Sequence, residues 1–565
     1  MNVEKFLKYY QNELDFLVES GKDFSKQYPK IASKLDFSSF NSDDPQVQRL
    51  IESVAFLNAR IQKRLDESAP EVSLRLLESI YPQFISPLPS CVIFNFSPLK
   101  NFEKAVIGKT IPKGSYVNTK KEYEGDYFSF QTNEDLKISS LEVESALIEK
   151  TSSFNLPNYI YNSCEYALNI KLNLLDENSS ESELRFFIHL IDHLAGTFYE
   201  SIHSVFHNKN TPVFCNGKEV GEIISVAIDD EELLPYFYRA NDPTYRVFLE
   251  YNAFYKKFLF FKIRFFEGET YDYTDLVIPL NLKKEIEITK ENLLLNCVCG
   301  VNLFEKTSEP FELSNKKNAY RLIPDMQNEN TEIHTILSVH ETQESETNYI
   351  PYFSCQHLLI EDDCVFWSAK KDSSKFSNPT ILSFSNMDNF ENKVIFAKMM
   401  CFQKNASKSI PSFAEWSVQD SPGDLNCINL ERPSPWQPAV DESSAQWRLI
   451  SHLAINHFGI KDNRSCIKFI KEMLKIYDFG NMEKKNTINC IKSIKHETKM
   501  TIFKRQLVPK SVVEICVDAD HSNDVFLLAR IIAEFFKSNE GFNTKLDVVL
   551  KKEGSQVPWK TWSLI

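Results

Sequence analysis

Glycine is scarce in this chain: 14 in 565 residues, beside 44 phenylalanines. Few glycines mean few left-handed turns and few loops whose backbone can cradle a phosphate. No G-x-G-x-x-G and no G-x-S-x-G occurs. Gly108-Lys109-Thr110 has the look of a phosphate-loop ending, but the glycine required five residues before Gly108 is Glu103, whose carboxylate would repel phosphate, and Pro112 opposes the helix that should follow. Basic charge is also short. Acids outnumber bases 78 to 64, a formal charge of −14, and this excludes nucleic acid as the natural partner because a phosphate backbone demands clustered Lys and Arg. The pair Lys484-Lys485 reads as a solvated face. No apolar run approaches the roughly 20 residues a membrane span needs, so no direct membrane insertion is expected. The opening Met1-Asn2-Val3-Glu4-Lys5 lacks a signal peptide's layout. The 12 cysteines include no C-x-x-C, which fits thiols in a reducing cytoplasm.

What is present begins with helix. Phe6, Tyr10, Leu14, Leu17 and Phe24 recur near the helical period and predict one amphipathic helix from about Val3 to Tyr28. After Asp44-Pro45, a capping residue and a first-turn proline, a second stripe runs through Val47, Leu50, Ile51, Val54, Leu57, Ile61 and Leu65. Val47, Val54 and Ile61 fall seven apart, which lets the stripe follow a partner helix, within the chain or in another. Ser68-Ala69-Pro70 opens a shorter helix with Val72, Leu76, Leu77 and Ile80. The block ends at a hinge, Tyr81-Pro82-Gln83-Phe84-Ile85-Ser86-Pro87-Leu88-Pro89-Ser90, whose three prolines stop any helix.

Beyond the hinge the period changes to two. Cys91–Phe96, Ser115–Asn118 and Phe128–Phe130 predict strands, with Pro112-Lys113-Gly114 as a turn. Strand patterns continue at Tyr245–Tyr251, Lys257–Phe266 and Leu293–Val301, and Asp229–Glu232 reads as an acidic loop. The Ser-, Pro- and Asn-rich stretch from Phe402 to Trp447 reads as an extended crossing. Helices are expected at Trp447–His457, Cys466–Ile476 and Val525–Lys537, and strands near Val512–Val517 and Leu546–Leu550. The expected fold is α+β and multidomain: a helical docking region over 1–90, a β-rich domain over 91–290, a second β-rich part over 291–430 and an α/β region over 431–565.

Two chemical readings compete with a structural role. His189 and His193, and His203 and His207, are each four apart and would share a face on helices, the spacing of a four-imidazole zinc site in a metallohydrolase. On a strand the first pair lies too far apart to chelate easily. Cys299 beside His334 or His340 is a conceivable nucleophile pair, but a linear sequence cannot show adjacency. A generic cytoplasmic adaptor is a further alternative.

Several segments together resemble the TssF (VasA, ImpG) family of type VI secretion baseplate subunits. YYQNELDFLVESGKDFSKQYPKIASKL from Tyr9 is similar to the family's opening, DPQVQRLIESVAFLNARIQKRLDE from Asp44 to its second helix, and YPQFISPLPS to its hinge. IPKGSYV, FSFQTNEDL, LLPY, YRVFLEYNAFYKKFLFFKI, LNCVCGVNLFEKTSEPFEL, YRLIPD, RPSPW, WRLISHLAINHFGI, LKIYDF and FLLARIIAEFFKSNEGFNT follow in the family's order. Val508-Pro509-Lys510-Ser511 departs from the family's Arg-Gly segment. The resemblance implies a structural, non-enzymatic subunit of a contractile, phage-tail-like machine, without catalytic residues, metal or cofactor. It implies a cytoplasmic baseplate wedge in which two copies join one TssG and contact TssK, TssE and the VgrG hub. Phe6, Tyr10, Leu14, Leu17, Val47, Leu50, Val54, Leu57 and Ile61 are the expected partner-binding residues.

Overall fold

The computed structural model describes residues 3–32, 48–61, 86–99, 107–175, 181–225, 233, 243–266, 275–282, 285–314, 317, 319–342, 349–352, 365–371, 380–385, 393–419, 425–438, 463–476, 482–503, 506–518, 524–539 and 545–564. The expected helix at Ser68–Ile80, the first half of the hinge, the acidic loop Asp229–Glu232, the helix at Trp447–His457, and Val47 and Leu65 lie outside them.

The fold is α+β with several sheets. The first helix spans Val3–Gln27, and Tyr28 still donates its N–H to Phe24 before the chain turns into Pro29–Ala32. A second helix covers 48–61.

The first sheet is a closed six-stranded barrel, in the order Cys91–Pro98, Cys297–Val301, Ser129–Thr132, Tyr116–Thr119, Glu415–Val418 and Leu425–Asn429. It draws strands from both the 91–290 and the 291–430 intervals, so this unit is not continuous in sequence. Alternate residues point inward, and Phe94, Phe96, Phe128, Phe130 and Trp416 fill the interior. Part of the stretch expected to cross between domains thus folds as barrel strands at 415–418 and 425–429. Its strands are only four and five residues long and their ladders close across about 300 residues, with Trp416 opposite Thr119.

An eight-stranded antiparallel sheet follows, in the order Leu293–Leu294, Glu183–Ile188, Phe260–Phe265, Lys218–Ser225, Thr211–Cys215, Asp275–Leu280, Tyr166–Leu174 and Leu141–Lys150. Tyr245–Tyr251 is not a strand but part of the helix Pro243–Phe254. Its aromatic and β-branched composition suggested a strand, yet residues 246–252 are all buried. A helix covered on all sides shows no amphipathic period.

Two four-stranded sheets draw their strands from 304–403. The C-terminal sheet runs Ile491–Phe503, Gln506–Val517, Lys545–Lys552 and Lys560–Leu564. Its middle pair is parallel and therefore needs a crossover, supplied by the helix Val525–Asn539. That helix joins the C-terminal region to the large sheet in one core. Phe535 stacks on Phe248 at 4.8 Å, and Phe526 meets Trp562 at 5.5 Å. Arg530 and Glu534 are buried within it and form an ion pair one turn apart.

The hinge is anchored at its second half. Pro87, Leu88, Pro89 and Ser90 are buried. Leu88 and Gln437 exchange two backbone hydrogen bonds, 3.0 and 2.8 Å, and the Ser434 hydroxyl accepts from the Cys91 N–H at 2.9 Å. The RPSPW segment is therefore the mate of the hinge.

Candidate functional site

The arm residues fall into two groups. Phe6, Tyr10, Leu14 and Leu17 are half-buried along one side of the first helix, as their spacing requires. Phe6 meets Phe56 edge-on at 5.2 Å, which brings the two helices together. On the second helix the face turned inward is Ala55 and Ala59, both fully buried, with Ile51 half-buried. Alanines there let neighbouring backbone approach closely. The larger residues face out: Leu50 is 66% exposed, Val54 40%, Leu57 57% and Ile61 58%. Their spacing of four, three and four puts them on one stripe. A contiguous exposed apolar stripe marks an interaction surface more often than an isolated exposed leucine does.

A cleft of about 1100 Å³ lies where the barrel, the edge of the large sheet and the C-terminal region meet. Asn95, Phe413, His189, Asp192, Glu431 and Asp524 are among its walls. Its charges are tied to one another: Lys256 pairs with Glu431 and, at 3.4 Å, with Asp192, and His189 Nε2 lies 3.6 Å from Glu431. The carboxamide of Asn292 donates to the His189 carbonyl at 2.9 Å. Phe413 holds a left-handed backbone, φ +60°, fixed by its N–H donating to Asn429 O.

The histidines of the zinc reading separate. Leu184–Ile188 belongs to a strand, His189 follows it, and His193 and His203 sit near opposite ends of the helix Asp192–His203. His203 is turned into the core against Tyr199, and burial, helped by Lys560 and Arg530, pushes its imidazole down to about 3. Among the described residues no group of three or more His, Cys, Asp or Glu is arranged to hold a metal. The cysteine reading separates as well. Cys299 is buried in the barrel, whereas His334 and His340 lie on the strand Thr331–Glu341 of another sheet, His334 against Thr335 and His340 against Ser338. Burial pushes the neighbouring Cys297 thiol up to about 12, away from nucleophilic thiolate. None of the ten described cysteines is in a disulfide. Gly108-Lys109-Thr110 leads into a strand, not a helix.

Sequence reasoning found the apolar stripe but not which way it faces, because that is decided by the burial of Ala55 and Ala59 and alanine carries little weight in any hydrophobic pattern. It also missed the cleft, whose walls come from segments hundreds of residues apart.

A barrel, a broad antiparallel sheet and an α/β region, preceded by helices with an exposed apolar stripe, make a multidomain α+β protein. The chain belongs to the type VI secretion system TssF family, whose model matches residues 2–565. It is 22% identical to type VI secretion system component TssF1 of Pseudomonas aeruginosa, with 98% of each chain covered. Its fold is similar to a chain in the TssK-TssF-TssG baseplate subcomplex of the type VI secretion system, with a TM-score of 0.72 at 17% identity, covering 91% of this chain and 98% of that one. A chain in the baseplate complex from the type VI secretion system matches with a TM-score of 0.59 at 17% identity, covering 96% of each. Family membership assigns the role: a structural subunit of the secretion baseplate. No helix among the described residues is long and apolar enough to cross a membrane.

Proposed function

We propose that this chain works in the cytoplasm as a wedge subunit of the baseplate, at the cytoplasmic face of the inner membrane, and docks a TssG subunit through the stripe Leu50, Val54, Leu57 and Ile61. The observation that carries this reading is the division of the 48–61 helix into an inward alanine face and an outward face of large apolar residues. Full burial of an exposed side chain of this kind is worth about 1.5–3 kcal/mol, and burying the 40–66% of each that is still exposed gives roughly half of that, which over four residues favours a helix seam. Phe6, Tyr10, Leu14 and Leu17 support the stripe from behind by fixing the first helix. A second copy of the chain, TssK, TssE and the VgrG hub complete the wedge in this reading. The role is mechanical and acts through shape and interface free energy, with no catalytic step.

The test is co-expression with the cognate TssG. Val54→Asp or Leu57→Asp should abolish co-purification, because an unpaired carboxylate buried in an apolar seam costs several kcal/mol. Both positions are exposed in the free chain, so circular dichroism and the thermal midpoint should stay unchanged. Retention of TssG by either variant would remove the stripe from the interface.

A further inference from the structure

The strand Ile491–Phe503 is the outer edge of the C-terminal sheet. Among the described residues it has one ladder neighbour, Gln506–Val517, and its other edge carries no strand, although the helix Asn463–Ile476 packs against it at the buried end, where Ile491 and Ile494 lie. The third strand of the sheet pairs only from Lys510 onward. Among the described residues the rungs Met500–Pro509, Thr501–Val508, Ile502–Leu507 and Phe503–Gln506 have no third-strand partner and form a two-stranded ribbon. Pro509 has no N–H to give a ladder. Met500 shows the consequence, being 63% exposed.

The charge of this strand pair runs against that of the chain. Residues 491–510 hold six Lys or Arg and one Glu, in a chain whose formal charge is −14. Lys499 stands directly opposite Lys510 in the register, an arrangement that costs stability when uncompensated. Glu497 lies 2.9 Å from Lys499, and Asp547 lies 2.5 Å from Lys510. Lys492 leans on Asp518 at 3.4 Å, and Lys495 is exposed. Lysines along an open edge oppose pairing with an identical edge, because two copies would bring Lys against Lys. The same lysines favour an incoming strand that carries carboxylates.

We propose that the outer edge of Ile491–Phe503 docks an extended, acidic segment of a partner protein by strand addition, the partner's backbone completing the ladder and its carboxylates facing Lys495 and Lys499. In this mode main-chain hydrogen bonds supply affinity and the side chains supply selectivity.

The experiment uses the full chain and a fluorescein-labelled peptide of about twelve residues alternating Glu and Val, long enough to span the edge. Controls are a Lys/Val peptide, the acidic peptide with two valines replaced by proline, and a single-stranded oligonucleotide. Anisotropy should show binding of the acidic peptide alone. Proline substitution should weaken it at least about tenfold, since it removes ladder donors. Lys495→Glu with Lys499→Glu should weaken it by about tenfold or more, as two favourable pairs become repulsive. Hydrogen exchange on the unmodified chain gives a readout that needs no variant: amides of Ile491–Phe503 should slow when the acidic peptide is added. No binding of that peptide, or unchanged exchange along this strand, overturns the proposal. Equal binding of the proline peptide would reduce the surface to a charge patch and overturn strand addition. Tighter binding of the oligonucleotide would reassign the ribbon to nucleic acid.

Discussion

Gly300 lies in LNCVCGVNLF, on a barrel strand opposite Val92, and its substitution by alanine should be among the most costly single-methyl additions in the chain. A Cβ built there would meet Phe94 Cε2 at 2.3 Å and Cδ2 at 2.8 Å. Carbon atoms rest at about 3.5–4.0 Å, so the ring would have to move by more than about an ångström. It has nowhere to go. Phe94 is fully buried, with Trp416 edge-on at 5.0 Å, Phe130 at 5.9 Å and Phe96 at 6.4 Å. Trp416 is itself fixed, its indole N–H donating to Asn429 Oδ1 at 3.0 Å, while the Asn429 carboxamide donates to the Pro411 and Glu431 carbonyls at 2.8 and 2.7 Å.

Overpacking of a closed core costs about 1–3 kcal/mol, and a contact this short sits at or above the upper end. Gly300 does not have a left-handed φ, so backbone strain contributes nothing and the effect is steric. That makes the cause separable. Phe94→Leu alone leaves a partial cavity and should cost about 1–2 kcal/mol. In the double variant, Phe94→Leu with Gly300→Ala, the shorter side chain vacates the space that the added methyl needs. The two costs should then fall short of additivity by at least about 1 kcal/mol. Urea unfolding followed by tryptophan fluorescence, with Trp416 inside the barrel, measures all four corners of the cycle. A Gly300→Ala stability within about 0.5 kcal/mol of the parent, or strict additivity, would refute the reasoning.

Alkaline pH offers a second test. Burial pushes the thiols of Cys91, Cys297 and Cys401 up to about 12, and those of Cys164 and Cys466 to about 11, from an ordinary value of 9.0. Above pH 9 the unfolded chain loses protons that the native chain keeps, so stability falls as pH rises, by about 1.4 kcal/mol per thiol at pH 10. Lys560, which burial holds down to about 8 against 10.5 ordinarily, acts in the opposite sense between those values but is one group against five. The urea midpoint under reducing conditions should drop between pH 8 and 10, and a flat profile would contradict the buried thiols. The third test concerns Glu250, a buried carboxylate that pairs with Lys257, lies 4.0 Å from Arg246 Nε and accepts the Leu233 N–H at 2.9 Å. Glu250→Gln should cost about 3–5 kcal/mol by leaving two buried cations without their carboxylate, and the same unfolding assay fails this account if the variant is as stable as the parent.

These tests bear on how far the fold could be read in advance. The first helix, the second helix, and the C-terminal strand, helix and strand at Gln506–Val517, Val525–Asn539 and Lys545–Lys552 were legible because each carries a local period or a local cap. Pro243–Phe254 was not, because complete burial erases periodicity and leaves only composition, which for Tyr, Val, Phe and Leu favours strands. The barrel was hidden for a different reason: no local rule pairs Trp416 with Thr119 or Gly300 with Thr132. The arm stripe was visible as a pattern, but its direction was not, since Ala55 and Ala59 decide it through their small size.

The anchored hinge gives the arm and the barrel a physical connection. Pro87 to Ser90 are buried, and the exchanged bonds between Leu88 and Gln437 and the Ser434–Cys91 contact hold the chain where it enters its first barrel strand. Those residues cannot serve as a free swivel. Leu88 leads into Cys91–Pro98, a strand bonded on both sides, to Cys297–Val301 and to Leu425–Asn429. Phe94 on that strand is the ring that Gly300 makes room for. The glycine therefore preserves the packing of the strand that follows the anchored hinge.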